Sequence, residues 1–152
     1  MRPTKHTIVS VSIGAAMWFF TKSIYAGILS FASGILVDFD HFIEYIVHYG
    51  WKDLSFKKVY KACEQTETQN GDYRFKKIYL VLHTMEIVIL LWMVTIYTKN
   101  TYLLAIAVGY SSHLILDYIG NKWLNPFTYF MFWRAIKKFE YDKLFKKING
   151  NI

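Results

Sequence analysis

Residues 105–117 read AIAVGYSSHLILD, an apolar stretch in which small residues lead to a histidine and an aspartate. Ala105, Gly109, His113 and Asp117 are four apart, so on a helix they lie on nearly one face, drifting by about 40° per step. Small residues let helices approach closely in a membrane, and an ionisable group within such a segment marks a candidate functional site. The stretch therefore predicts a membrane helix that carries two polar side chains near one end.

Two other apolar stretches combine small residues with an ionisable group at the same spacing. One contains Ala26, Ser30, Gly34 and Asp38, and the other contains His6, Ser10 and Gly14, with the ionisable residue first. The repeated spacing predicts that several helices pack through small residues and bring ionisable groups to one end of a bundle.

The composition favours a single membrane domain, residues 1–152. The chain is 54% hydrophobic and its mean hydropathy is +0.19, as expected for spanning helices diluted by polar segments. Because about 20 residues cross a hydrocarbon core, we expect four transmembrane helices at residues 6–21, 24–47, 78–97 and 101–120. The predicted fold class is all-α, an integral membrane bundle with short hairpin connections at 21–23 and 98–100. A cleaved signal peptide is the alternative for the first segment.

Basic residues predict the orientation of this bundle. All of the 18 lysines and arginines except Lys22 and Lys99 fall on one side if the N-terminus is cytoplasmic, as the positive-inside rule describes. We therefore expect a multi-pass protein of the cell (inner) membrane with both termini cytoplasmic. The net charge of +7 also raises nucleic acid as a partner, but no motif supports it and none is expected.

Two cytoplasmic segments, residues 53–67 and 127–147, combine apolar and basic residues as amphipathic helices do. Such helices bind anionic lipid, so the lipids of the inner leaflet are the expected partner. The alternative is that each segment is an ordinary helix with a solvated basic face. The sequence does not indicate an oligomeric state.

Histidines and carboxylates from all four predicted spans fall at a similar depth, about 5–13 Å inside the cytoplasmic boundary at 1.5 Å per residue. The candidate metal ligands among them are His6, Asp38, Asp40, His41, His83, His113 and Asp117. Imidazole nitrogen with carboxylate oxygen suits Zn best and also accepts Mn or Fe. We therefore predict a divalent-metal site of one to three ions.

Helical spacing divides these residues into pairs, each of which could bind one ion. His113 and Asp117 are four apart, Asp38 and His41 three apart, and His83 is three residues before Glu86. Asp40 falls on another face of its helix and is expected to bridge ions or to act in catalysis. Glu86 is the candidate general base, a ligand, or an ion-pair partner of a basic residue.

The motifs around these residues resemble the bacterial and archaeal membrane-bound metal-dependent hydrolases, the group that includes a LexA-regulated inner-membrane protein. The matching stretches, within residues 5–130, are His6, residues 33–41 (SGILVDFDH), 82–84 (LHT), 109–117 (GYSSHLILD) and 125–127 (NPF). Two features depart from the family pattern. Val37 replaces the usual proline, and the middle motif lacks its first histidine and its arginine, with Tyr79 near the place of that histidine.

The resemblance implies a metal-activated water that hydrolyses a phosphoester, with a small phosphoester or a lipid head group as substrate. It also implies a distant similarity to zinc-dependent phospholipase C, an all-α scaffold in which His and Asp bind several zinc ions. The altered middle motif leaves open a member that no longer catalyses. The runner-up is thus a non-catalytic membrane scaffold that keeps a structural metal or polar cluster. A proton or ion conductor is a third class, although residues 87–96 and 103–108 carry no charge.

Overall fold

The computed structural model describes residues 3–68, 72–73, 75–121 and 125–144, and this part of the chain is helical without strands. Its helices are α1 (Pro3–Thr21), α2 (Ile24–Leu36), α3 (Phe39–Tyr49), α4 (Phe56–Thr68), α5 (Met85–Thr98), α6 (Thr101–Gly120), α7 (Met131–Ile136) and α8 (Tyr141–Leu144). A 3₁₀ turn, Pro126–Tyr129, precedes α7. The predicted all-α class is confirmed.

Backbone contacts divide the chain into two compact units. The first contains Met1–Val37 and Leu82–Lys122, and the second contains Asp38–Val81 and Trp123–Ile152. Each unit is described by itself below. The assignment of residues 1–152 to a single membrane domain stays a prediction.

The first unit packs α1 against α2, and α6 against both α2 and α5. Small residues lie where the helices approach: a Cβ on Gly109 of α6 would come within 2.0 Å of the Ser30 carbonyl oxygen of α2. The hydroxyl of Ser33 donates across the same contact to the Ile106 carbonyl oxygen over 3.1 Å. The small-residue spacing therefore serves close packing between α2 and α6.

Both predicted hairpin connections are observed. Ser23 caps α2 by accepting from the Ala26 amide, and the Asn100 side chain caps α6 by accepting from the amides at 102 and 103. Lys22 and Lys99 adopt positive φ angles of 56° and 51°, which turn the chain between the helices. Side-chain caps of this kind satisfy amides that a helix start leaves without intrahelical partners.

Four transmembrane helices are not confirmed. By length and composition, two stretches of the described residues could cross a membrane: Ile24–Tyr49, which contains α2 and α3, and Thr101–Gly120. The apolar helices His6–Thr21 and Met85–Thr98 are shorter. A two-residue turn at Val37 and Asp38 separates α2 from α3, so the predicted span at 24–47 is not one uninterrupted helix.

The prediction that the third helix begins at residue 78 is wrong, since α5 begins at Met85. Residues 79 and 80 instead bond to two buried side chains of the second unit. Glu44 accepts from the Tyr79 and Leu80 amides, and Arg134 donates to both of their carbonyl oxygens. Backbone groups engaged in this way are not used in helical bonds, and Leu80 adopts a φ of 34°.

The second unit has its own apolar core. It contains Tyr45, Val59, Ala62, Phe75, Ile78, Tyr141 and Leu144. The predicted helix at 53–67 is observed as α4, but its Val59 and Ala62 pack in this core and are not available to lipid. Phe56 and Tyr60 of the same helix are 82% and 43% exposed, so lipid binding by this segment and the alternative of a solvated face both stay predictions.

The segment at 127–147 is not one amphipathic helix. Lys138 and Phe139, with φ of 57° and 59°, break it between α7 and α8. Residues 76–78 pair with residues 139–141 through backbone bonds from Ile78 to Phe139 (2.9 Å) and from Tyr141 to Lys76 (3.0 Å). Residues 145–147 lie outside the described residues.

Candidate metal centre

Three imidazoles surround the carboxylate of Asp117 in the first unit. The Nε2 atom of His6 lies 3.2 Å from Oδ1, and those of His83 and His113 each lie 3.4 Å from Oδ2. The four residues are between 1% and 6% exposed. We call His6, His83, His113 and Asp117 the His₃Asp cluster.

Different elements supply these side chains. His6 lies in the second turn of α1, His113 and Asp117 are one turn apart on α6, and His83 precedes α5. The rings pack on one another: the His6 and His113 centroids are 4.3 Å apart and stacked, and the His83 and His113 centroids are 5.3 Å apart and edge-on. Residues up to 111 positions apart in sequence thus meet at one carboxylate.

The hydrogen bond from His113 to α2 shows which ring nitrogen is a donor and which one faces Asp117. Nδ1 lies 2.7 Å from the Gly34 carbonyl oxygen, which can only accept, so Nδ1 carries the hydrogen. In the neutral ring Nε2 is then an acceptor, yet it faces a carboxylate oxygen, which is also an acceptor. A proton, on the ring or on the carboxyl group, or a metal cation is needed between them. Metal-binding histidines commonly donate their other N–H to a carbonyl in this way.

The cluster fits a metal ion. His6, His113 and Asp117 each offer a ligand atom within 4.8 Å of the others. The Nδ1 atom of His6 is buried without a hydrogen-bond partner among the described residues. These buried histidine and aspartate side chains could therefore hold a metal ion.

The other predicted ligands belong to the second unit. Asp38 lies in the turn before α3, with its carboxylate 3.7 Å from the His41 Nε2, and each side chain is about one-third exposed. Asp40 is 2% exposed and lies on α3, one turn before Glu44. Asp38 and His41 therefore form the predicted local pair. That Asp38, Asp40 and His41 act with the His₃Asp cluster stays a prediction.

His83 and Glu86 do not lie on one helix, as their predicted pairing assumed. Because α5 begins at Met85, His83 precedes the helix and the two residues do not share a helix face. Glu86 is half-buried in the first turn of α5. Its predicted role as a base stays a prediction.

The sequence analysis did not predict three side chains that hydrogen-bond to the backbone before α5. Glu44 and Arg134, which are 2% and 1% exposed, hold the Tyr79–Leu80 backbone in the second unit. In the first unit, the Tyr110 hydroxyl donates to the Leu82 carbonyl oxygen. The sequence offered one signal for Glu44 and Arg134: each is a charged residue within a run of aromatic and apolar residues.

Comparisons of the chain with protein-family models, with curated proteins and with solved structures found no match.

Proposed function

We propose that this chain is an integral membrane, metal-dependent hydrolase whose metal site is the His₃Asp cluster. The observation that carries the proposal is the convergence of three buried imidazole nitrogens on the Asp117 carboxylate. His113 donates from Nδ1 to Gly34, so Nε2 is the ring nitrogen that faces Asp117. A divalent cation between these atoms would bind both, and His6 and His83 lie close enough to complete its protein ligands.

Zn is the preferred ion, with Mn or Fe as alternatives, because two or more imidazoles and a carboxylate match their ligand preferences. When bound, the ion would act as a Lewis acid and activate water for attack on a phosphorus centre. The cluster residues hold and orient the ion. In the proposal, Asp38 and His41 contribute to a second ion, and Asp40 and Glu86 accept protons during the reaction.

The proposed substrate is an anionic phosphoester, either a small molecule or a lipid head group, because the chain carries a net charge of +7. The two candidate spans support attachment to a membrane. In the full proposal, four helices cross the cell (inner) membrane, both termini are cytoplasmic, and the site faces the anionic inner leaflet. The resemblance to membrane-bound metal-dependent hydrolases supports the same activity.

Metal analysis of the full-length protein in detergent micelles tests this proposal. Wild-type protein, loaded with Zn, Mn or Fe and then desalted, is expected to retain about one or more equivalents. His113→Ala and Asp117→Asn are expected to retain less than about a tenth of that amount. Retention below one equivalent in the wild type, unchanged by either substitution, would contradict the metal site.

A second candidate, a non-catalytic membrane protein with a structural metal, is favoured by the burial of the cluster. The four side chains are 0–8% exposed, whereas a catalytic ion keeps a position open to water or substrate. Hydrolysis of a phosphoester separates the two functions. The hydrolase is expected to cleave bis(p-nitrophenyl) phosphate or phospholipids in anionic vesicles in a metal-dependent manner that His113→Ala abolishes. The structural alternative predicts bound metal without hydrolysis of either substrate.

A further inference from the structure

His83 differs from the other members of the His₃Asp cluster in how its backbone is held. His6 lies within α1, and His113 and Asp117 lie within α6, where intrahelical hydrogen bonds hold the chain. His83 lies two residues before the start of α5, in a segment without regular secondary structure. A metal ligand on such a segment needs another constraint if its ring is to keep a defined position.

Tyr110 supplies a constraint directly beside His83. Its hydroxyl donates to the carbonyl oxygen of Leu82, the residue that precedes His83 in the chain. The tyrosine is 7% exposed, so its ring is held by the surrounding side chains. A buried, packed ring with a single donated hydrogen bond can act as a rigid anchor for the backbone at Leu82.

The position of Tyr110 on α6 links this anchor to two ligands of the cluster. Tyr110 lies three residues before His113 and seven before Asp117, a spacing that brings all three to one face of the helix. The three are buried on α6. One face of α6 thus carries two proposed ligands, His113 and Asp117. About one turn earlier it carries Tyr110, which holds the segment that contains His83.

We propose that Tyr110 is a positioning residue, whose hydrogen bond to Leu82 keeps the His83 imidazole at the Asp117 carboxylate. The inference rests on the proposed metal site, because its main consequence is metal affinity. Tyr110→Phe keeps the ring and its packing and removes the hydroxyl group, and with it the hydrogen bond to Leu82. Loss of a group that orients a ligand typically weakens metal binding 10–100-fold.

Zinc titration of the full-length protein in micelles against a competing chelator tests the proposal. Tyr110→Phe is expected to raise the Kd for Zn by about 10–100-fold. Tyr97→Phe is the matched control, since Tyr97 is 89% exposed on α5, and is expected to leave the Kd unchanged. A Tyr110→Phe protein with wild-type Zn affinity would overturn the proposal.

The His83→Ala background separates positioning from a general structural effect. If Tyr110 acts through His83, adding Tyr110→Phe to His83→Ala leaves the Kd where His83→Ala alone puts it. If Tyr110 only supports the fold, the second substitution weakens binding by the same factor in both backgrounds, and the proposal is wrong.

Nitrogen-15 NMR of the histidine rings in the metal-free protein gives a readout that needs no metal. Tyr110→Phe is expected to shift or broaden the ring signals of His83, assigned with His83→Ala, and to leave those of His48 in place. Unchanged His83 signals would overturn the role of Tyr110 even if the wild type binds Zn. If the wild type binds no Zn, Mn or Fe, the proposed function fails while this measurement still decides the role of Tyr110.

Discussion

His113 donates its Nδ1 hydrogen to the Gly34 carbonyl oxygen over 2.7 Å, which leaves Nε2 as the ring nitrogen that faces Asp117. The bond crosses from α6 to α2, and it is short because small residues keep these two helices close. A Cβ on Gly34 would already lie 3.2 Å from the Gly109 carbonyl oxygen of α6. Helix packing in the first unit therefore determines that Nδ1 of His113 donates to α2 and that Nε2 faces Asp117.

Asp117→Asn is expected to abolish the stabilisation of the protein by zinc. A ligand that binds only the folded state at 100 times its Kd stabilises it by about 2.7 kcal/mol, which thermal unfolding in micelles detects as a higher Tm. The amide loses the negative charge that holds a cation but keeps the shape of the side chain. Asp142→Asn, at an exposed carboxylate of α8, is the control and should keep the full zinc-dependent shift. An equal shift in Asp117→Asn would contradict the assignment of Asp117 as a ligand.

Gly109→Ala is expected to destabilise the first unit by about 2–3 kcal/mol, within the range for overpacking a close contact. The new Cβ would lie 2.0 Å from the Ser30 backbone oxygen, which cannot move without separating α2 from α6. Helix propensity alone favours alanine over glycine by about 1 kcal/mol. A decrease in the free energy of unfolding therefore indicates overpacking, and an increase indicates that helix propensity dominates. Unfolding in a detergent–SDS titration measures it.

Gly34→Ala is expected to destabilise the first unit less than Gly109→Ala does. Its Cβ would meet the hydroxyl of Ser10 at 2.7 Å, and a small side chain can rotate away where a backbone carbonyl cannot. We therefore expect a smaller loss of unfolding free energy than in Gly109→Ala. Equal or reversed effects would show that the contact between Gly109 and Ser30 does not limit the packing.

Arg134→Met is expected to expose the backbone at residues 79 and 80 to proteolysis. The guanidinium donates to the carbonyl oxygens of Tyr79 and Leu80, and bonds from a charged donor contribute about 1.5–3 kcal/mol. Chymotrypsin should cleave after these residues about tenfold faster in the variant, with cleavage sites identified by mass spectrometry. Lys143→Met removes an exposed lysine side chain and should leave the rate unchanged. A wild-type rate in Arg134→Met would show that the guanidinium does not hold this segment.

Cysteine labelling tests the proposed orientation. In a Cys63→Ser background, Lys99→Cys should react with a membrane-impermeant maleimide on intact spheroplasts, because the positive-inside rule places Lys99 outside. Lys57→Cys should react only after the membrane is permeabilised. Both positions are exposed, so access to the reagent depends on the side of the membrane. The opposite pattern would reverse the topology.

The pairing of His113 with Asp117 could be predicted from the sequence because a four-residue spacing on a helix is a local property. The third helix could not be placed in the same way. Its apolar run extends back to residue 78, but the backbone at Tyr79 and Leu80 is bound by Glu44 and Arg134, side chains 35 and 55 positions away. Tertiary hydrogen bonds of this kind outweigh a local preference for helix.

The partner of the amphipathic segment predicted at residues 53–67 could not be read from the sequence either. Periodicity correctly predicts a helix with one apolar face, because the period reflects helix geometry. It does not distinguish a lipid surface from a protein core as the partner of that face. Val59 and Ala62 pack against residues distant in sequence, including Tyr45 and Leu144.

The sequence by itself determined the helical class, the hairpin turns, the small-residue faces and the ligand pair on α6, since each depends on residues a few positions apart. The common depth of His6, His83 and that pair also predicted that they converge, but only the tertiary structure decided that they meet at the Asp117 carboxylate, that His113 donates to Gly34, and that α5 begins after His83. These features depend on atoms brought together by packing between distant segments, and neither helical periodicity nor composition encodes which segments will meet.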